Sequence, residues 1–254
     1  MSETQRAPLL ELDPDLGQLL AADRRVEAAR GLVVSVKVLN DGGRDLARLV
    51  RSSPSDIGLL VLDGVVARDV AVAGTVSTEL LGAGDVIRPW TIEEPVSLLE
   101  SRVVWSVLSD VSVALLGRRL AVQLCSYPEL YVALIDRLSQ RSARLATTQA
   151  ISQMTRVDRR VVALFWYLAE RWGRMTAAGV HLPLRISHRM LGQLIGARRP
   201  TISAAVGQLA QSGELVRRAD STWLIPGQPV GLPVAASGPP APPRFKLLTE
   251  SAAA

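Results

Sequence analysis

The chain has 254 residues, enough for one large domain or two smaller ones. It is 48% hydrophobic and 21% charged, with a formal net charge of +5, and that hydrophobic share is enough for real cores. Cys125 is the single cysteine, so neither an internal disulfide nor a cysteine-rich metal site is possible, as expected of a reducing, cytoplasmic setting.

The N-terminal run "MSETQRAPLLELDPDLGQLL" carries acids where a secretory signal would need a basic and then an apolar run. No stretch reaches eighteen consecutive apolar residues, so no membrane span is expected. Residues 1–124 form the first predicted domain. "GLVVSVKVL", "IGLLVLDGVVARDVAV", "STELLGAGDVIRPW", "VVWSVL" and "VSVALL" read as valine-rich strands, parted by turn signals such as "LNDGGRDL". Many short strands with regular turns predict a sandwich or barrel.

The pattern changes at residues 125–155. "YPELYVALIDRLSQRSARLATTQAISQM" has no proline or glycine after Pro128, which suits a first helical turn. Leu130, Leu134, Leu138 and Leu145 are spaced to share one stripe, with Arg137, Arg141 and Arg144 off it. A helix of about 27 residues spans roughly 40 Å, more than a small domain needs. Its stripe is therefore expected to pack on a second copy of itself, giving a homodimer; the alternative is a helix lying along its own barrel.

Residues 156–226 form the third predicted unit. They hold eleven arginines, no lysine and four acids, a local excess of +7 that exceeds the charge of the whole chain. Such clustering suits a polyanion, although a GC-rich genome would also favour arginine over lysine. "VDRRVVALFWYLAERWG" predicts a helix with Val161, Leu164, Phe165, Leu168 and Trp172 on its apolar face. Next, Ser187 is placed to N-cap a short helix ending near Ile195, with Leu191, Leu194 and Ile195 inward. Gly196 stands where a left-handed turn residue is needed, and Gly192 is small enough to admit a second helix closely. That helix is expected from about Arg199 to Gln211, with Pro200 in its first turn and Ile202, Ala205, Val206 and Leu209 inward. "GELVRRADSTWLI" then predicts a two-stranded wing with its turn at Ala219–Asp220.

This is a winged helix-turn-helix pattern. Double-stranded DNA is the expected partner. Arg198 and Arg199 lie at the N-terminal end of the second helix, the end that enters the major groove in such motifs, and an arginine there can grip guanine O6 and N7. Thr201 and Ser203 carry short hydroxyls for phosphate or base-edge contacts. Ser187, His188 and Arg189 begin the helix that crosses the phosphate backbone, and Arg217 and Arg218 lie on the wing. The competing reading is a winged module that contacts protein in place of DNA. Residues 227–254, rich in proline, glycine and alanine, read as a disordered tail.

"MLGQLIGARRPTISAAVGQLAQSGEL" resembles the winged helix-turn-helix of the cyclic-AMP receptor/Fnr (Crp/Fnr) superfamily of bacterial transcription regulators. "ELLGAGDVIRPW" is similar to that family's sensor barrel at its Gly-Asp turn. The resemblance covers about Leu59 to Pro226. It implies an α+β chain with an N-terminal cyclic-nucleotide-binding-like β-roll, a long dimerisation helix and a C-terminal winged helix-turn-helix. It also implies an inverted-repeat operator bound by a dimer, and adds RNA polymerase and an unidentified small-molecule or protein effector as candidate partners. On the family pattern Arg199 takes the base-reading arginine position, while Pro200 and Ala204 replace a frequent glutamate and a second reading arginine. The operator is thus expected to differ from the best-known consensus.

Members that bind cyclic nucleotides carry a Gly-Glu pair and an Arg-Ser/Thr pair after the Gly-Asp turn. Here Arg88-Pro89 and a reversed Ser101-Arg102 stand instead, so cyclic-AMP dependence is not expected. No cofactor or metal is expected either. A lone Cys125 cannot hold an iron–sulfur cluster, and His181 and His188 both lie in the winged unit, away from a barrel haem site. Catalysis is not expected: Glu93-Glu94 are chain neighbours facing different ways, and no histidine lies in the barrel.

Overall fold

The computed structural model describes residues 5–39, 46, 56–89 and 99–227. The expected turn at "LNDGGRDL", the Glu93-Glu94 pair and the expected tail lie, apart from Leu39, Leu46 and Gly227, outside the described residues.

The N-terminal domain is a roll of two antiparallel sheets. The strands are β1 (Gln5–Pro8), β2 (Val33–Leu39), β3 (Gly58–Asp63), β4 (Val65–Val72), β5 (Thr75–Gly82), β6 (Val86–Ile87), β7 (Ser101–Val107) and β8 (Val111–Leu116). One sheet runs β1-β2-β8-β3-β6, the other β5-β4-β7. Gly64 lets the chain pass from one sheet to the other at φ 84°; a Cβ there would lie 2.2 Å from the Asp110 carbonyl oxygen. Alternating inward residues such as Leu59, Val61, Val66, Leu81, Val111 and Val113 fill the space between the sheets.

The strand expectations correspond to observed strands, but among the described residues three α-helices were not anticipated: α1 (Leu9–Leu12), α2 (Ala22–Gly31) and α3 (Arg118–Leu124). The first is a single turn, α2 has only Ala28 fully buried, and α3 depends on a distant cap, Asp56 accepting from the Arg118 N–H at 3.0 Å. None of the three carries a long apolar stripe.

The long helix α4 runs Pro128–Gln153, 26 residues with proline in the first turn. Its leucine stripe divides. Leu130 and Leu134 are 1% and 7% exposed and pack with Leu116, Leu120 and Leu124 of their own roll, whereas Leu138 and Leu145 are 49% and 42% exposed. Leu130 and Leu134 are thus unavailable to a second copy, contrary to expectation. The helix leans on its own roll along one row of residues. A second row, about a quarter turn round the helix and including Ile135, Leu138 and Leu145, remains exposed.

The inner row is reinforced electrostatically. Arg137, Arg141 and Arg144, at spacings that put them on one helix face, each meet a carboxylate of the N-terminal domain. Arg137 donates to Asp13 at 3.1 and 3.2 Å, Arg141 holds both oxygens of Glu79 at 2.7 and 2.8 Å, and Arg144 pairs with Asp85.

The C-terminal domain contains α5 (Val157–Trp172), β9 (Arg174–Thr176), β10 (Gly179–Leu182), α6 (His188–Ile195), α7 (Arg199–Gln211), β11 (Val216–Arg217) and β12 (Trp223–Pro226). Its wing is larger than expected. The β9–β10 hairpin extends the β11–β12 pair into a four-stranded antiparallel sheet, ordered β11-β12-β10-β9. The core of this domain centres on Phe165 and Trp223, whose rings lie 4.9 Å apart.

The division of the α4 stripe has a measurable consequence. Leu130→Ala should cost about 2–5 kcal/mol in urea unfolding, as buried leucine truncations do. Leu145→Ala should cost under about 1 kcal/mol in a dilute, monomeric sample. Equal losses would contradict the inward placement of Leu130.

Candidate nucleic-acid interface

The helix-turn-helix is fixed by local chemistry. The Ser187 hydroxyl accepts from the Met190 N–H at 3.2 Å and caps α6. Gly196 ends that helix in the left-handed conformation, φ 65° and ψ 42°. Gly192 has a different role from the one expected. A Cβ there would lie 2.4 Å from the Ala197 carbonyl oxygen, so the missing side chain admits the turn itself more than the second helix. The Ala197 N–H in turn donates to the Gly192 carbonyl at 2.9 Å. Pro200 falls in the first turn of α7, and Ile202, Ala205, Val206 and Leu209 are buried, as the spacing predicts.

The opposite face of α7 is exposed along Arg199, Pro200, Thr201, Ser203, Ala204, Gly207 and Gln208. Arg198 is the residue preceding its first turn, and it too is exposed. Arg189 on α6 and Arg217 and Arg218 on the wing are likewise exposed. Among the described residues, none of Arg189, Arg198, Arg199, Arg217 and Arg218 has a carboxylate partner within ion-pair distance. The nearby acid Asp220 is occupied locally, accepting from the Thr222 N–H at 3.0 Å and its hydroxyl at 2.6 Å; those bonds hold its carboxyl below the usual range. The result is an electropositive face on α6, α7 and the wing.

Trp223 sets the wing against the helices. It is fully buried, the Arg217 guanidinium lies 5.6 Å from its ring, and the His188 ring lies 6.3 Å away. At the wing tip the Arg218 N–H donates to the Thr222 carbonyl at 2.9 Å, with Ser221 at φ 66°.

His188 differs from the other candidate contacts. Its Nδ1 is 3.0 Å from the Ser203 hydroxyl and its Nε2 is buried, so the ring links α6 to α7 instead of pointing outward. Burial, with help from the Arg217 and Arg199 charges, lowers its pKa below the ordinary 6.5. Sequence spacing placed His188 at a helix start but could not show that Trp223 and Ser203 would enclose it.

Sequence reasoning also missed the contact between the two domains. Arg171, near the end of α5, lies 2.8 Å from an Asp85 oxygen and donates to the Ala83 carbonyl at 2.7 Å. Trp172 closes over Gly82, whose added Cβ would lie 3.0 Å from the indole nitrogen. In the roll, a pocket of about 210 Å³ is lined by Arg68, Arg88, Trp105, Leu134, Leu138 and Arg141. Ser101 and Arg102 are exposed at the start of β7 and do not line it.

These features define a β-roll joined through a long helix to a winged DNA-binding domain. Residues 159–226 match the Crp-like helix-turn-helix domain family model. This part of the chain is a Crp-like helix-turn-helix domain. The chain is 28% identical over 147 residues to the regulatory protein CysR of Synechococcus elongatus, a match spanning 56% of this chain and 63% of that protein, under two thirds of the relative's length. In fold it resembles a cyclic nucleotide-binding domain containing protein of Listeria monocytogenes, with TM-score 0.60 and 15% identity over 85% of this chain and 97% of that one. It also resembles a CooA mutant from Carboxydothermus hydrogenoformans, with TM-score 0.58 and 16% identity over 84% and 90%. Among the described residues, no helix is long and apolar enough to cross a membrane.

The enclosure of His188 generates a pH prediction. Its native pKa is lowered, so the unfolded chain takes up the proton first as pH falls. The stability contributed by the neutral ring is complete above pH 6.5 and is lost progressively below it, toward the lowered native pKa. Urea midpoints recorded from pH 7.5 to 5 should fall more steeply for the wild type than for His188→Gln. Parallel curves would show that this ring carries no such linkage.

Proposed function

We propose that the protein is a sequence-specific transcription regulator that binds an inverted-repeat operator as a homodimer, without requiring cyclic AMP. The observation that carries this reading is the unneutralised arginine face on α6, α7 and the wing, with Arg199 at the N-terminal end of α7. Neutralising several phosphates at once releases counterions and favours binding, while an arginine at that helix end is positioned for base edges.

Roles within the face are distinct. Arg199, and Thr201 and Ser203 beside it, serve the groove. Ser187 keeps its capping bond and can still donate its hydroxyl proton to a phosphate. Arg189, Arg217 and Arg218 serve the phosphates, Arg198 can serve either, and Pro200 shapes the start of the helix. His188 positions Ser203 and α6 without touching DNA itself.

Dimerisation is assigned to the exposed row of α4, with Leu138 and Leu145 retained from the expected stripe and Ile135 added. The apolar row exposed on so long a helix supports two copies packing side by side. Independence from cyclic AMP rests on Arg88-Pro89, where proline removes a backbone donor that a cyclic phosphate would need. RNA polymerase is the further partner expected of such a regulator.

Binding titrations against a selected operator and a scrambled duplex, at several salt concentrations, test the reading. Arg199→Ala should lose roughly 1–3 kcal/mol on the operator and flatten discrimination at one base pair per half-site. Arg218→Ala should weaken both duplexes alike and lower the salt slope by about one unit per lost contact in each subunit. Equal losses on both duplexes for Arg199→Ala would make it a phosphate clamp and displace α7 from the groove. Independently, Leu138→Glu should sediment as a monomer with weakened operator binding; a dimeric variant would move the interface elsewhere.

A further inference from the structure

A cavity of about 350 Å³ opens between β5, α4 and α5, beside the Asp85 cluster. This volume and its place at a domain boundary are those of small-molecule sites. Leu80, Leu145, Leu164, Leu168 and Leu194 supply its apolar walls, and Asp85, Arg144 and Arg171 supply a charged end.

The charge at that end is unbalanced. Two guanidinium groups share the single carboxylate of Asp85, which is 1% exposed. The other ionised lining groups are committed or solvated. Glu79 is held by Arg141 and Arg68, Arg137 is held by Asp13, and Glu170 is exposed. The Arg144 and Arg171 side chains nonetheless remain 31% and 22% exposed. One further carboxylate would offset the net positive charge of two guanidinium groups on one acid.

We infer that this interdomain cavity binds a small monocarboxylate with an apolar body. The carboxylate meets Arg171 and Arg144, and the body lies against the leucines. Its occupant touches the roll, the long helix and the winged domain together, so occupancy changes how the winged domain is held. The effect on DNA rests on the function proposed above; the site itself does not.

The full chain, without DNA, is titrated calorimetrically with octanoate and with 3-phenylpropanoate, and octanamide serves as the uncharged control. At least one carboxylate should bind saturably, and octanamide at least about tenfold more weakly than octanoate. Arg171→Gln should weaken the carboxylate by at least about tenfold. Thr148→Phe, which fills the cavity without removing a charge, should abolish binding even if Arg171→Gln fails to fold. No saturable binding of either carboxylate would overturn the inference. So would binding undiminished by Thr148→Phe, or binding lost on Arg68→Gln in the roll pocket instead. Because no DNA is present, failure here leaves the DNA-reading role untouched, and failure of that role leaves this site intact.

Discussion

The arrangement of the two domains depends on one buried carboxylate. Asp85 accepts from the Gly82 N–H at 2.9 Å, which closes its own turn, and it pairs with Arg144 of the long helix and Arg171 of the winged domain. Three parts of the chain therefore meet at one side chain. Removing a partner from such a buried cluster leaves an uncompensated charge, a far larger penalty than loss of a surface pair. The turn can approach so closely because Gly82 and Gly84 have no side chains: Trp172 covers the first and Arg137 crosses the second. A turn that reads in the sequence as ordinary loop punctuation is the point where the roll holds the DNA-binding domain.

How legible this was follows from the range of the interactions. The helix-turn-helix is local. Ser187, Gly196 and Pro200 act within a few residues of their own positions, and α7 begins and ends where the spacing places it. The strands of the roll were also readable, because valine-rich alternation and turn residues are local signals. The Arg137, Arg141 and Arg144 row was visible only as residues off the leucine stripe. Its meaning lies in partners 124, 62 and 59 residues away, which no spacing rule reveals. The same holds for the leucine stripe. Leu130 and Leu138 look equivalent by period, yet the roll covers one and leaves the other open. A pattern of period shows which residues can share a face, whereas tertiary contact decides what covers it.

Family resemblance did not remove that limit. It added the base-reading position expected of Arg199 and agreed with the order of parts, an order that the similarity to known folds supports. It did not foresee that His188 would turn inward to Ser203, or that Arg171 would reach the roll. Both depend on aromatic neighbours, Trp223 and Trp172, that order the side chains around them.

The arginines of the C-terminal domain separate by what surrounds them. Arg156 pairs with Asp158, Arg159 with Glu214, Arg160 donates to the Met154 and Ile195 carbonyls, and Arg171 joins the Asp85 cluster. These four lie on or beside α5, whose other face enters the core, and they tie that helix to its surroundings. Arg189, Arg198, Arg199, Arg217 and Arg218 lie on the elements farther along the chain, where the only local acids are the bound Asp220 and the paired Glu214. One composition thus serves two physical purposes. Where an acid or a carbonyl is near, arginine anchors α5, and through Arg171 it also joins the two domains. Where acids are withheld, the same side chain keeps an uncompensated charge, and the local excess of positive charge forms an electropositive face without any change in residue type.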